Sequence, residues 1–291
     1  MHCGDQSILL YSGATAQACQ LQPKQQLIGP DSLPRTIDRV DVFERYMHHC
    51  LPLVGGDPFT ADEEQKFTLR QRSDFPVGQA GHWHGKQRVE CTLKEYLEKP
   101  QAWRQKNRLW RAPISFPGEL SYPVHSAYQL MEQACQEKRP LSETNLNCRI
   151  KDRKEMLAAA FDVGGDYRDG WSSATNGLTL LFETSAHALA LQVVWLLRSI
   201  GIGATAWNRA KVGSSQVVVF NHLAAIPFRK FNPPTSDRLR RSSSYSRMRI
   251  TPIGIHRAYS ICLESCGTLE PLYLLGDFTP VKAPLHRAYE W

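Results

Sequence analysis

The chain has 291 residues, 42% of them hydrophobic, and a net charge of +7. That length suits one large domain or two ordinary ones, and the apolar fraction can build a packed core. No run of about 18 apolar residues occurs, so no spanning helix is expected, and Met1 to Leu10 shows no basic region followed by a long apolar stretch, so no secretory signal is expected either.

The first 60 residues read as short strands and turns: Ser7 to Tyr11 running into Ser12-Gly13, Gln26 to Asp31 with its Gly-Pro turn, and Arg35 to Val42, which alternates apolar and polar with period two. Residues 72–87, rich in Gly, Pro, Gln and His, read as a loop or insertion. Cys91 to Leu97 opens a short helix with Thr92 as cap and Glu95 three residues later. A helix is expected over His125 to Lys138, with Tyr128, Met131, Ala134 and Cys135 on one face, and another over Asp152 to Phe161. Thr179 to Phe182 reads as a strand, and Ser185 as the cap of a helix over His187 to Ser199 that Gly201 ends. Strands follow at Ala204 to Trp207, Gln216 to Phe220, Tyr259 to Leu263 and Leu272 to Leu275.

A basic balance of this size favours nucleic acid or another acidic surface as partner. Two segments concentrate it. Lys99, Arg104, Lys106, Arg108 and Arg111 share a stretch with Trp103, Trp110 and no acid. Cations interleaved with aromatics can neutralise phosphates and stack on bases, and Trp103 and Trp110 can equally be core anchors. The second segment, residues 229–249, carries Arg229, Lys230, Arg238, Arg240, Arg241, Arg247 and Arg249 against one acid, Asp237, and reads as a basic loop. The eight cysteines form no CxxC pair, and His48-His49-Cys50 and His82-Trp-His84 are the other dense spots. Buried free thiols are expected, with no metal and no cofactor.

Glu155-Met-Leu-Ala-Ala-Ala-Phe-Asp-Val-Gly-Gly165 resembles the LAGLIDADG helix of homing endonucleases and of the nuclease domain inside inteins. The flanking pieces resemble an intein splicing domain, the Hint fold: Gly4-Asp5 before the first strand, Leu27-Ile-Gly-Pro-Asp31, Asp57 to Leu69, and Pro271 to Thr279. Lys151 to Trp207 resembles the second LAGLIDADG repeat. The resemblance implies a mixed α+β fold, in which a strand-rich Hint-like domain is built from residues 1–120 and 250–291. A LAGLIDADG-type α/β half-domain over 121–228 and the 229–249 loop would be inserted into it.

The same resemblance implies that the chemistry is gone. Splicing needs a nucleophile at the first residue; Cys3 directly precedes Gly4, too close, and no upstream segment is expected to be released. The histidine position of the splicing block is Gln65, with Asp62 at its threonine position, and the terminal His-Asn positions are Lys282 and Ala283. In the nuclease motif Gly164 replaces the metal-binding acid, leaving Asp162 and Asp166 as residual acids. A metal that clamps attacking and leaving oxygens needs acids from both motif helices, and no convincing first motif is found. DNA contact in that family uses a saddle of strands, which here places Trp171, Thr175, Asn176, Thr179, Trp207, Arg209, Lys211 and Gln216 as contacts. The expectation is a non-enzymatic nucleic-acid-binding protein, RNA favoured over DNA, held with other proteins in a large assembly such as an organellar ribosome. That setting makes the location intracellular, in an organelle such as the mitochondrion. A residual DNA endonuclease using Asp162 or Asp166, and a protein-interaction module, stay open as alternatives.

Overall fold

The computed structural model describes residues 1–53, 55–71, 88–168, 179–209, 213–219, 226–231, 248–265, 267 and 269–283. Its fold is mixed α+β and strand-rich, with several sheets. The chain forms two compact units: Met1–Ser73, Trp83–Ala112 and Tyr245–Trp291 make the first, and Asp74–His82 with Pro113–Ser244 the second. No helix among the described residues is long and apolar enough to cross a membrane.

The first unit is organised by two long strands from opposite ends of the sequence. Pro34–Pro52 and Met248–Leu263 pair antiparallel from Met248 opposite Pro52 to Leu263 opposite Ile37. From sequence the first is expected only to Val42 and the second only from Tyr259; Pro252 and Gly254, residues that weaken strands, lie inside the longer second strand. The structure absorbs both in a bulge: the register shifts between Pro252 and Gly254, and Gly254 takes φ 93°. Arg249 therefore lies in a strand opposite Leu51, not in the basic loop where the sequence reading put it.

A second sheet orders Leu272–Leu274, Pro280–Lys282, Lys66–Gln71 and Arg88–Thr92, with Asn107–Arg108 also on Lys66–Gln71. Period-two alternation sends Phe67 and Leu69 inward to join Ile8, Leu27, Ile37, Phe59, Tyr273 and Val281. Each such side chain contributes about 1.5–3 kcal/mol by leaving water. The expected capping box forms: the Glu95 amide donates to Thr92 Oγ1 at 3.1 Å, and the Thr92 amide to Glu95 Oε2 at 2.8 Å.

The second unit sets three helices, Ser126–Glu137, Ile150–Gly164 and His187–Ser199, with an antiparallel sheet ordered Gly165–Arg168, Thr179–Thr184, Ser214–Val219, Ala204–Arg209. Met156 to Phe161 are all buried, so the middle of the central helix has no solvent face. Ala158, Ala159 and Ala160 keep it slim, which lets Ser126–Glu137 pack on it through Tyr128, Met131 and Ala134. Buried Arg153 on that helix donates to the carbonyls of Cys148, Ile114 and Ser199 and pairs with Glu119.

The third helix starts one residue later than Ser185 would cap. Its N-cap is Ala186, without a side-chain cap, and Thr184 Oγ1 receives the Ala186 amide at 3.2 Å. Its end is as expected: Gly201 takes φ 83°, and the Gly201 and Ile202 amides close onto the Arg198 and Leu197 carbonyls.

Candidate nucleic-acid interface

In the first unit, the positions that the resemblance assigned to splicing come together around the start of the chain. The Met1 amino group donates to Asp62 Oδ1 at 2.6 Å and to Gln65 Oε1 at 2.8 Å. Gln65 Nε2 donates onward to the Lys66 and Lys282 carbonyls, and the Lys282 ammonium turns to Glu90 at 2.6 Å. Ala283 is buried and pairs through its backbone with Pro271. The group that faces Asp62 and Gln65 is the Met1 amino group, and Cys3 lies further along the chain. Its amide donates to Thr60 Oγ1, and burial raises its thiol pKa. One residue, His2, stands between Cys3 and Met1.

His2 is wholly buried beside this cluster, with Nδ1 2.9 Å from the Thr60 carbonyl and Nε2 2.8 Å from the Tyr273 hydroxyl. A carbonyl only accepts, so Nδ1 carries the proton and Nε2 accepts from Tyr273. Burial first, and the Met1 ammonium second, push the His2 pKa down to about 3. A neutral imidazole bonded at both nitrogens and a carboxamide at Gln65 hold this corner together; neither is placed to shuttle a proton at neutral pH.

In the second unit, Asp162 is fully engaged. Its carboxylate accepts the amides of Arg229 and Lys230 at 2.9 and 3.0 Å, the amide of Phe231, and the Tyr128 hydroxyl at 2.9 Å. Burial works to raise its pKa, but the Phe231, Arg229 and Lys230 amides and the Tyr128 hydroxyl outweigh it and hold the carboxyl below the ordinary value. Gly164 is closed off: a Cβ there would stand 2.9 Å from the Phe182 ring and 3.0 Å from the Glu183 carbonyl oxygen. Asp166 is exposed on the next strand, with Oδ1 accepting the Tyr167 amide. Among the described residues no group of three metal-ligating side chains converges.

The basic candidates have unlike fates. Gln101–Lys106 is a short helix. On and beside it, Lys99 and Lys106 are exposed, Arg104 is half-buried 5.9 Å from the Tyr96 ring centre, and Lys99 lies 5.7 Å from that of Trp103. Arg108 is half-buried, its Nε donating to the Gln105 carbonyl. Arg111 is a correction. It is buried, with NH2 3.2 Å from Asp277 Oδ2, in space left by Gly56, and a guanidinium there cannot reach a phosphate. Trp110 is buried as well, its Nε1 donating to the Thr68 carbonyl, so it offers no face to a base. Arg70 lies over its ring at 3.8 Å and Arg88 at 5.7 Å. Neither arginine stood out in the sequence, since one falls on each side of the 72–87 stretch and only strand pairing joins them.

Arg209 ends the Ala204–Arg209 strand, half-buried and on the same side as Trp207, which is 50% exposed. Gln216, opposite Trp207, is fully buried. Arg229 lies 3.7 Å over the Tyr128 ring, pairs with Glu155 at 2.8 Å and donates to His125 Nδ1; Lys230 pairs with Glu132 at 2.8 Å. These two cations therefore fasten residues 229–231 to the helices. Arg249 is exposed. Lys211, Arg238, Arg240, Arg241, Arg247, Trp171, Thr175, Asn176 and residues 72–87 lie outside the described residues, as does the Thr179 side chain. No protein-family model matches the chain, and no curated protein matches it.

Proposed function

We propose that the chain is a catalytically silent derivative of an intein-type homing endonuclease. In this reading it works as a nucleic-acid-binding component, preferring RNA, of a large RNA–protein assembly such as an organellar ribosome. The observation that carries the reading is the state of Asp162 and Gly164. Asp162, one of the two residual acids, is occupied by four hydrogen-bond donors, and the space beside Gly164 is filled by Phe182 and the Glu183 carbonyl. Support also comes from the meeting of Asp62, Gln65 and Lys282, positions named only by the resemblance, around the Met1 amino group. The net charge of +7 and the exposed Lys99, Lys106 and Arg249 supply the phosphate-neutralising surface.

The test pairs binding with cleavage. The full chain is titrated against labelled single-stranded RNA and duplex DNA over a range of salt, and incubated with mixed DNA and Mg²⁺. Salt-dependent RNA binding without cutting supports the reading. Cutting that disappears in Asp162→Ala or Asp166→Ala overturns it in favour of a residual nuclease, and no binding at low ionic strength overturns it in favour of a protein-interaction module.

A further inference from the structure

The long strand Pro34–Pro52 has an open side. Along one side it pairs with Met248–Leu263. Along the other, Gln26–Ile28 covers residues 34–36 and Phe59–Asp62 covers residues 47–50. Among the described residues no strand pairs with Val40 to Tyr46 on that side. Residues 42–46 are all exposed, so neither face of the strand is covered there. Such an edge is a template for another strand, and proteins ordinarily blunt it with proline, lysine or a bulge. Val40 to Tyr46 holds no proline and no lysine, and it pairs from Ile261 to Ile255 without a register shift. Val42, Phe43 and Tyr46 stand in water here, as do Ile253 and Ile255 on the neighbouring strand.

Two copies of this edge can pair antiparallel about a two-fold axis. Directly opposite residues then share a sheet face, so one residue lies on the axis and faces itself. Asp41, Glu44 or Arg45 on the axis would set a charge against itself, and Val42 there would set Arg39 against Arg45. Val40 or Tyr46 on the axis would run the pairing into the covered ends. Phe43 avoids all of this. With Phe43 on the axis, Asp41 of each copy faces Arg45 of the other, and Val40 faces Tyr46.

Asp41 and Arg45 suit these roles. Arg45 is exposed, 5.4 Å from the Phe43 ring centre, with no acid of its own chain in ion-pair reach among the described residues. Asp41 takes Arg39 Nε and the Cys262 thiol on Oδ2, which leaves Oδ1 to accept from a second guanidinium.

We propose that Val40 to Tyr46 is a self-association edge, occupied by the same edge of a second copy of this chain, with Phe43 on the two-fold axis. Two sheets become one across it, both copies contribute the same residues, and the contact closes at two copies. Pairing of this kind needs no nucleic acid.

Sedimentation of the full chain over a concentration series, without nucleic acid, reads the assembly. The variants are Arg45→Asp, Asp41→Lys and Phe43→Lys. The wild type should pass from the mass of one chain to that of two as concentration rises, and the amides of residues 40–46 should exchange more slowly in the heavier species. Each variant sets like charges opposite one another and should dimerise about tenfold more weakly. An equal mixture of Arg45→Asp and Asp41→Lys should recover the heavier species, because every facing pair then has opposite signs; loss of folding cannot produce that recovery. If Asp41→Lys fails to fold on losing its bond to Arg39, Arg45→Asp and Phe43→Lys, both at exposed side chains, still decide. A wild type at the mass of one chain at every concentration overturns the proposal; weaker RNA binding by these variants would then give the edge to nucleic acid. A dimer that Phe43→Lys and Arg45→Asp leave unchanged lies elsewhere and overturns it too. Two folded variants whose mixture stays at the mass of one chain overturn the placement of Phe43 on the axis.

Discussion

Phe182 occupies the space that a side chain on Gly164 would need: a Cβ there would stand 2.9 Å from the ring. The ring belongs to a strand paired with the one that follows the helix, Gly165 facing Phe182, so it cannot move aside without disturbing the sheet. Gly164→Asp therefore puts a side chain where the fold leaves no room for one. The variant should lose about 1–3 kcal/mol of stability through overpacking and gain no Mg²⁺-dependent cleavage. Denaturant unfolding and a plasmid-nicking assay check both halves.

Asp162 should act as a clasp for residues 229–231. Asp162→Asn keeps the shape but points an amide at backbone donors, and should cost about 1.5–3 kcal/mol at neutral pH. It should also speed hydrogen exchange at the Arg229, Lys230 and Phe231 amides. The folded carboxyl sits below its ordinary value, so its contribution is present above about pH 3.9. That contribution is lost as pH falls through the depressed value, and the gap between wild type and variant should close in acid.

His2 should make stability fall on the acid side of neutrality. Its folded pKa is about 3, against about 6.5 when unfolded. Between those values the unfolded chain takes up a proton that the folded chain does not, so stability declines as pH drops, by up to about 1.4 kcal/mol per unit. From about pH 7 to about pH 5 the loss should approach about 2 kcal/mol. His2→Gln should flatten this part of the profile, read as the shift in urea midpoint; an equal slope in the variant contradicts the buried neutral histidine.

Two cations from one basic segment should separate stability from binding. Arg111→Ala leaves Asp277 buried without its guanidinium partner and should cost about 3–5 kcal/mol. Exposed Lys106→Ala should stay within about 0.5 kcal/mol of wild type, yet lower the salt slope of RNA binding by about 1. Thermal melts and salt-dependent titrations of the same two proteins decide it. If Arg111→Ala melts normally and binds RNA less well, the burial argument is wrong.

Local signals were legible where a single side chain sets the backbone. Thr92 with Glu95 wrote its own capping box, the Tyr128, Met131 and Ala134 stripe named a buried helix face, and Gly201 named a helix end. Legibility failed where a neighbour rescues a bad local choice. Pro252 and Gly254 break a strand on paper, but Pro34–Pro52 holds both strand halves through the bulge. Ser185 looks like a cap, but Thr184 satisfies the amide instead. Arg111 looks like its cationic neighbours Lys106 and Arg108, and only Asp277, 166 residues away in sequence, marks it as buried.

The sequence by itself determined the composition of the molecule: a basic chain with a slim alanine-bearing helix ending in glycine, carboxamide and alanine at positions where the resemblance requires reactive groups, and cations clustered near tryptophans. These follow from residue identity alone. Tertiary structure decided which of those groups are spent and which are presented. Asp162 and Arg111 are occupied, Lys106 faces water, and Val40 to Tyr46 form an edge only because Pro34–Pro52 pairs there with Met248–Leu263 along one side. Hydrogen bonding and charge depend on distances of a few ångströms, and residues far apart in sequence reach such distances only when the sheets and helices pack.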